Sequence, residues 1–155
     1  MAYSTDADLV KVRPNILQLG VSSWQNYVDG ADPAVSMHDK AAEKINRTLI
    51  RRWYKTAAAE YSLDWRDTEF SADLVEEGTL TELSCFKTLE LIYLYLMKDS
   101  PEPDGFEREM HLFRKLYNQE LEELLSIGIG YDWDGDDEVL DTEKYMRVPR
   151  RLSRV

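Results

Sequence analysis

With 155 residues, 43% of them apolar and 32% charged, the chain is sized for one domain and is too apolar for a disordered segment. Its net charge of −11 sits on the body: residues 144–155 hold Lys144, Arg147, Arg150, Arg151 and Arg154 and no acidic residue, which leaves about −16 on residues 1–143. A body this acidic repels phosphate backbones, which argues against a sequence-reading DNA-binding module, and the longest apolar run, residues 91–97, is far short of the roughly 20 residues a membrane helix needs.

The opening Met1-Ala2-Tyr3-Ser4-Thr5-Asp6 has neither a basic segment nor an apolar core, so no secretory signal is expected there. The single cysteine, Cys85, excludes an internal disulfide and suits the reducing cytoplasm of the cell that makes the protein. A short first helix is predicted to start at Thr5 or Asp6 and to break at Arg13, before Pro14. Gly20 ends whatever residues 15–19 form. The second helix is predicted to be capped by Asp32, with Pro33 at its first position, and to run to about Tyr61. Along it Ala41, Ala42, Ile45, Leu49, Trp53 and Ala57 form one apolar stripe.

Residues 63–75 show no sustained period and read as a loop. A third, central helix is predicted to begin at Thr79, capped against Glu82, with Leu83, Phe86, Leu89, Ile92, Tyr93 and Leu96 on its broad apolar face. A fourth opens with Asp104 and Glu107 at capping-box spacing and carries Phe106, Met110, Phe113, Tyr117, Leu121 and Leu124 at steps of four and three. The proline-containing turn between these two makes them an antiparallel pair, and Gly128 and Gly130 stop the second. The fold expected is mainly α: a small helical bundle over residues 1–143, with a short β-hairpin or extended segment at residues 131–143 centred on Asp134-Gly135, and an extended basic arm over residues 144–155.

Three features invite a functional reading. Asp132, Asp134, Asp136, Asp141 and Glu143 are hard oxygen donors of the kind calcium takes. Setting Gly135 at the sixth position of an EF-hand loop, however, puts Gly130 at the first, where a carboxylate is required, and Asp141 at the twelfth. A solvated acidic turn is the favoured reading, and no metal or other cofactor is expected. Trp65 and Trp133 fall in irregular segments, where each either plugs a local core or meets a partner. The basic arm alternates Val148, Leu152 and Val155 with Arg147, Arg150, Arg151 and Arg154, a pattern suited to pairing with a partner's acidic, pocketed surface. His38 and His111 are too few for zinc, and Cys85 beside Phe86 reads as a buried, inert thiol. With no phosphate loop, nucleophile elbow or metalloprotease motif, the expectation is a protein without catalysis.

Several short segments together carry a family likeness. They are Tyr3-Ser4-Thr5-Asp6-Ala7-Asp8-Leu9 with Pro14 and Ile16, Ala41-Ala42-Glu43-Lys44-Ile45, and Phe86-Lys87-Thr88-Leu89-Glu90-Leu91-Ile92-Tyr93 before a second long helix. The turn Tyr131-Asp132-Trp133-Asp134-Gly135-Asp136 with Glu143 and the ending Arg150-Arg151-Leu152-Ser153-Arg154-Val155 complete the set. The sequence thereby resembles the head–tail connector (head-completion or adaptor) proteins of tailed bacteriophages. The resemblance implies a structural protein of the virion neck, a homo-oligomeric ring commonly of twelve copies. It implies docking on the portal protein through the C-terminal arm, contact with the next tail component, and DNA passing through without sequence-specific binding. The alternative from the acidic loop is a calcium-responsive helical regulator.

Overall fold

The computed structural model describes residues 2–19, 23–25 and 35–144, and these are mainly helical. Helix α1 (Asp6–Val12) begins where predicted: the Thr5 amide and hydroxyl both donate to the Asp8 carboxylate, at 3.0 and 2.8 Å. It ends before Arg13 and Pro14, and a 3₁₀ turn, Ile16–Gln18, follows. Gly20 lies outside the described residues.

Helix α2 (Met37–Leu49) starts later than the sequence suggested. Asp32 and Pro33 lie outside the described residues, and residue 35 is not helical. The cap is instead the reciprocal pair Ser36 and Asp39: the Asp39 amide donates to Ser36 Oγ at 3.2 Å, and the Ser36 amide donates back to Asp39 Oδ2 at 3.1 Å. These bonds satisfy two amides that a helix start leaves open, which a remote Pro33 would not do.

Beyond Leu49 the helix widens into a π stretch, Ile50–Tyr54, and continues as α3 (Lys55–Glu60). The apolar stripe explains the widening. Four-residue steps from Ile45 through Leu49 and Trp53 to Ala57 overrun the 3.6-residue period by about 40° each, so a uniform α-helix would carry the last members off the face. One wider turn absorbs that drift. Ile45, Leu49, Trp53, Tyr54, Ala57 and Ala58 are all buried as a result.

Residues 61–80 are non-helical apart from a 3₁₀ turn at Ala72–Leu74, and they include the stretch 63–75 expected as a loop. Helix α4 (Thr81–Asp99) is preceded by Leu80 and not by a Thr79–Glu82 capping box. Gly78, at φ +82°, turns the chain so that the Thr81 amide donates to the Gly78 carbonyl, while the Thr79 hydroxyl lies 3.5 Å from Glu76. Helix α5 (Asp104–Ile127) likewise makes no side-chain cap with Asp104. Pro103 is already near helical geometry, and its carbonyl takes the Glu107 amide at 2.8 Å. Gly128, at φ +110°, ends α5 as predicted.

Helix α4 is the central element: it packs on α1, α2 and α5 and buries Leu83, Phe86, Leu89, Ile92 and Tyr93. Against it α5 lays Met110, Phe113, Tyr117 and Leu121, with the Tyr93 and Phe113 rings stacked at 5.7 Å. The buried Glu90 carboxylate crosses this interface, accepting from Lys87 Nζ at 2.7 Å and from Arg114 Nε at 2.9 Å.

No β-hairpin forms at residues 131–143, and no strand occurs among the described residues. Val75 and Tyr131 form an isolated antiparallel bridge. The Asp132 carboxylate accepts from the Gly135 and Asp137 amides at 2.7 and 3.0 Å, and the Trp133 amide, which a hairpin turning at Asp134-Gly135 would pair across the strands, donates instead to Glu143 Oε1 at 3.1 Å. The segment is a compact loop that ends in a one-turn helix, α6 (Asp141–Lys144). The predicted extended arm lies, from residue 145 on, outside the described residues.

Candidate functional site

The acidic loop is built around two buried carboxylates. Asp132 orders the Gly135 turn, as above, and Glu143 reaches back from α6 to accept from the Trp133 amide at 3.1 Å and the Leu140 amide at 2.7 Å. For Asp132, desolvation is the largest single influence and pushes its pKa up. The Gly135, Asp137 and Asp136 amides together outweigh it and leave the group below the usual carboxylate range. Asp134 is shifted upward, first by desolvation and then by the neighbouring charges of Asp136 and Glu143. Carboxylate oxygens of Asp132, Asp134 and Asp136 lie within 4.8 Å of one another, so three ligand atoms share one corner of the loop. A cation there would compete with backbone amides for Asp132, whereas Asp134 and Asp136 are exposed.

The two candidate tryptophans divide. Trp133 plugs a core: its ring stacks on Tyr61 at 4.9 Å and on Tyr54 at 5.6 Å, and it also packs on Trp53 and Tyr131. Neither the Trp53 nor the Trp133 indole N–H finds an acceptor among the described residues. Trp65 stays at the surface, 37% exposed, with Lys55 Nζ 4.3 Å above its ring and the Arg66 guanidinium at 5.2 Å. The arm residues Arg147, Val148, Arg150, Arg151, Leu152, Arg154 and Val155 lie outside the described residues.

A polar cluster that the sequence reading missed sits at the N-terminal end of the bundle. His38, 1% exposed, bonds Asp6 Oδ1 through Nε2 at 3.1 Å and Ser4 Oγ through Nδ1 at 2.9 Å, and Ser4 Oγ meets Ser84 Oγ at 2.8 Å. With Nε2 protonated toward Asp6, Ser4 donates to Nδ1 and Ser84 donates to Ser4, an assignment that satisfies every atom. Asp6 additionally accepts from Ser23 Oγ at 2.6 Å and from the Trp24 and Gln25 amides at 3.2 Å.

Carboxylate, imidazole and hydroxyl thus stand in the order of a nucleophilic triad. Ser4 and Ser84, however, are 3% and 0% exposed, and the hydroxyl is shared between His38 and Ser84. The cluster is arranged to tie the N-terminal segment to α2 and α4. Partners 34 and 80 residues apart leave no local signal; the one usable hint was a histidine on the apolar side of an amphipathic helix.

Cys85 is buried beside this cluster, and desolvation chiefly raises its thiol pKa to about 11, so it stays protonated at neutral pH. His111 is exposed on α5, 3.7 Å from Glu107. No protein-family model matches the chain, and no curated protein or solved structure shows significant similarity to it.

Proposed function

We propose that the protein is a head–tail connector of a tailed bacteriophage, a virion protein that assembles into a ring on the portal and passes DNA to the tail without catalysis or cofactor. The observation that carries this reading is the placement of α5. Its 24 residues extend about 36 Å, it packs chiefly on α4, and it stands at the edge of the bundle. Its outer face exposes Leu112 (46%) and Ile127 (54%) among charged side chains, a surface suited to contact with neighbouring subunits. The charge pattern agrees with it: an acidic lumen repels a passing duplex uniformly and offers it no sticking point. Arg147, Arg150, Arg151 and Arg154, interleaved with Val148, Leu152 and Val155, would then engage the portal.

The test is the mass of the full chain, by light scattering and negative stain, with and without the portal ring of the same virus. Rings on the portal are expected. Deleting residues 147–155 should leave the helical signal intact and abolish docking. A chain that stays monomeric and never binds the portal counts against the reading, and unchanged docking after the deletion removes the arm from it.

A second reading, a calcium-responsive regulator, is favoured only by the 4.8 Å grouping of Asp132, Asp134 and Asp136. Calorimetric titration with calcium decides it: saturable heat that Asp134→Asn abolishes would support it, and no heat would end it.

A further inference from the structure

We propose that a basic row along the α2–α3 helix, ending at Trp65, is the surface through which each copy of the chain holds the acidic surface of a second copy. Lys44, Arg47, Arg51 and Lys55 form the row, Arg52 stands beside it, and all five are exposed. Six cations against the carboxylate of Glu43 give residues 40–55 a net charge of about +5 in a chain of −11. Arg47 bonds Glu43, and Arg52 bonds Glu122 of α5 at 2.7 Å, so the row adjoins the α5 face. Lys44 and Arg51 form no ion pair among the described residues.

The π stretch that keeps Trp53 buried also shapes this outer face. Arg47, Arg51 and Lys55 follow at four-residue steps, which a uniform α-helix would fan out by about 40° each. The wider turn at Ile50–Tyr54 takes that drift back, so the cations stand in line. Trp65 closes the row: it is exposed, and Lys55 Nζ lies 4.3 Å over its ring. Arginine and tryptophan are the side chains most enriched at the energetic centres of protein interfaces.

Charge identifies the occupant. A phosphate backbone laid on the row would meet Glu43 within it and Asp64 and Asp67 flanking Trp65, whereas a protein surface can interleave both signs. A second copy has the complementary charge. Setting aside residues 40–55 and 144–155 leaves about −21 on the chain, densest at residues 132–138, where five of seven side chains are carboxylates. Bodies this acidic repel one another unless cations come between them. The connector reading gives residues 147–155 to the portal, which leaves the row for the neighbour. A row that fits a different surface on the next copy makes the head-to-tail kind of contact that closes rings. The inference rests on the ring reading and names the surface that joins its copies.

Sedimentation of the full chain at low ionic strength, without portal, tests it. Association that rises with concentration is expected. Lys44→Glu with Arg51→Glu should weaken it about tenfold or more, as should about 1 M salt, where the screening length is about 3 Å. Should the reversal disturb the helical signal, Lys44→Gln with Arg51→Gln repeats the measurement. The reversed chain keeps its acidic surface, so adding it to the unsubstituted chain should cap growth and leave smaller species. A chain that stays monomeric overturns the inference, as does association that neither substitution nor salt weakens, or that the reversed chain fails to cap. Rings on the portal would in those cases still uphold the connector reading. Row-dependent association by a chain that ignores the portal would instead uphold the inference and remove that reading. Retention of an oligonucleotide through Lys44 and Arg51, without self-association, would assign the row to phosphate and overturn the inference as well.

Discussion

Two carboxylates organise the polar structure of this protein, and they act over different distances. Asp6 gathers His38, Ser23, Trp24 and Gln25, groups 17 to 32 residues away in sequence, and through His38 reaches Ser4 and Ser84. Asp132 gathers the amides of its own loop, three and five residues on. The first kind of site joins elements that would otherwise be independent, so its loss is felt by the whole bundle. The second fixes a local shape, and its loss is felt locally. Low local dielectric sharpens the contrast, because a buried group deprived of its partner pays the full cost of desolvation.

The largest effect expected is that of His38→Ala. It empties a buried site and leaves Asp6 and Ser4 without their shared partner, at a cost of about 3 kcal/mol and a fall in Tm of about 9 °C. Chemical denaturation measures it, and a loss no greater than that of an exposed-site control such as His111→Ala would erase the distinction drawn above. Glu90→Gln, which weakens the charge-assisted bonds to Lys87 within α4 and to Arg114 across to α5, should cost about 2 kcal/mol in the same assay. Glu143→Ala strands the Trp133 and Leu140 amides and should cost about 1.5 kcal/mol, with the loosening confined to residues 131–144 by hydrogen exchange.

Alkaline titration probes the buried aromatic end together with the first site. Burial chiefly raises Tyr3 and Tyr131 from 10.0 to about 12, and Cys85 from 9.0 to about 11. In each case the folded state holds the proton more tightly than the unfolded chain does. The stabilisation is therefore complete below the unfolded pKa and is lost as pH rises through the folded one. Stability should be level to about pH 9 and fall between about pH 9 and 12, and Tyr131→Phe should shallow that fall. A flat profile to pH 12 would contradict the burial assigned to these groups. The smallest effect belongs to Asp132→Asn: faster amide exchange at Gly135 and Asp137, with exchange across α4 and α5 unchanged. Global unfolding by this variant would put Asp132 in the same class as Asp6.

What the sequence made legible follows the same division by range. The stripe from Ala41 to Ala57, the apolar faces of α4 and α5, the Pro14 break and the Gly128 stop depend on neighbours within a turn or two, and the structure has all of them. Two local signals were overridden by side chains: Ser36 with Asp39 caps α2, and Glu143 takes the Trp133 amide that a hairpin turning at Asp134-Gly135 would have paired. Long-range features left no mark to read. Trp133 offered two readings, and only the approach of Tyr54 and Tyr61 from another element decides for the core. His38 looked like an isolated histidine because its partners, Ser4 and Asp6, lie more than thirty residues earlier in the chain.

The stacking of Trp133 between Tyr54 and Tyr61 also gives the molecule an optical gauge of its own. Near-ultraviolet dichroism depends on the fixed asymmetry of such rings, whereas far-ultraviolet dichroism reports helix content. Whatever unseats the turn that holds Trp133 should dim the first signal while sparing the second. Events at this end of the bundle can therefore be followed in solution without attaching a probe.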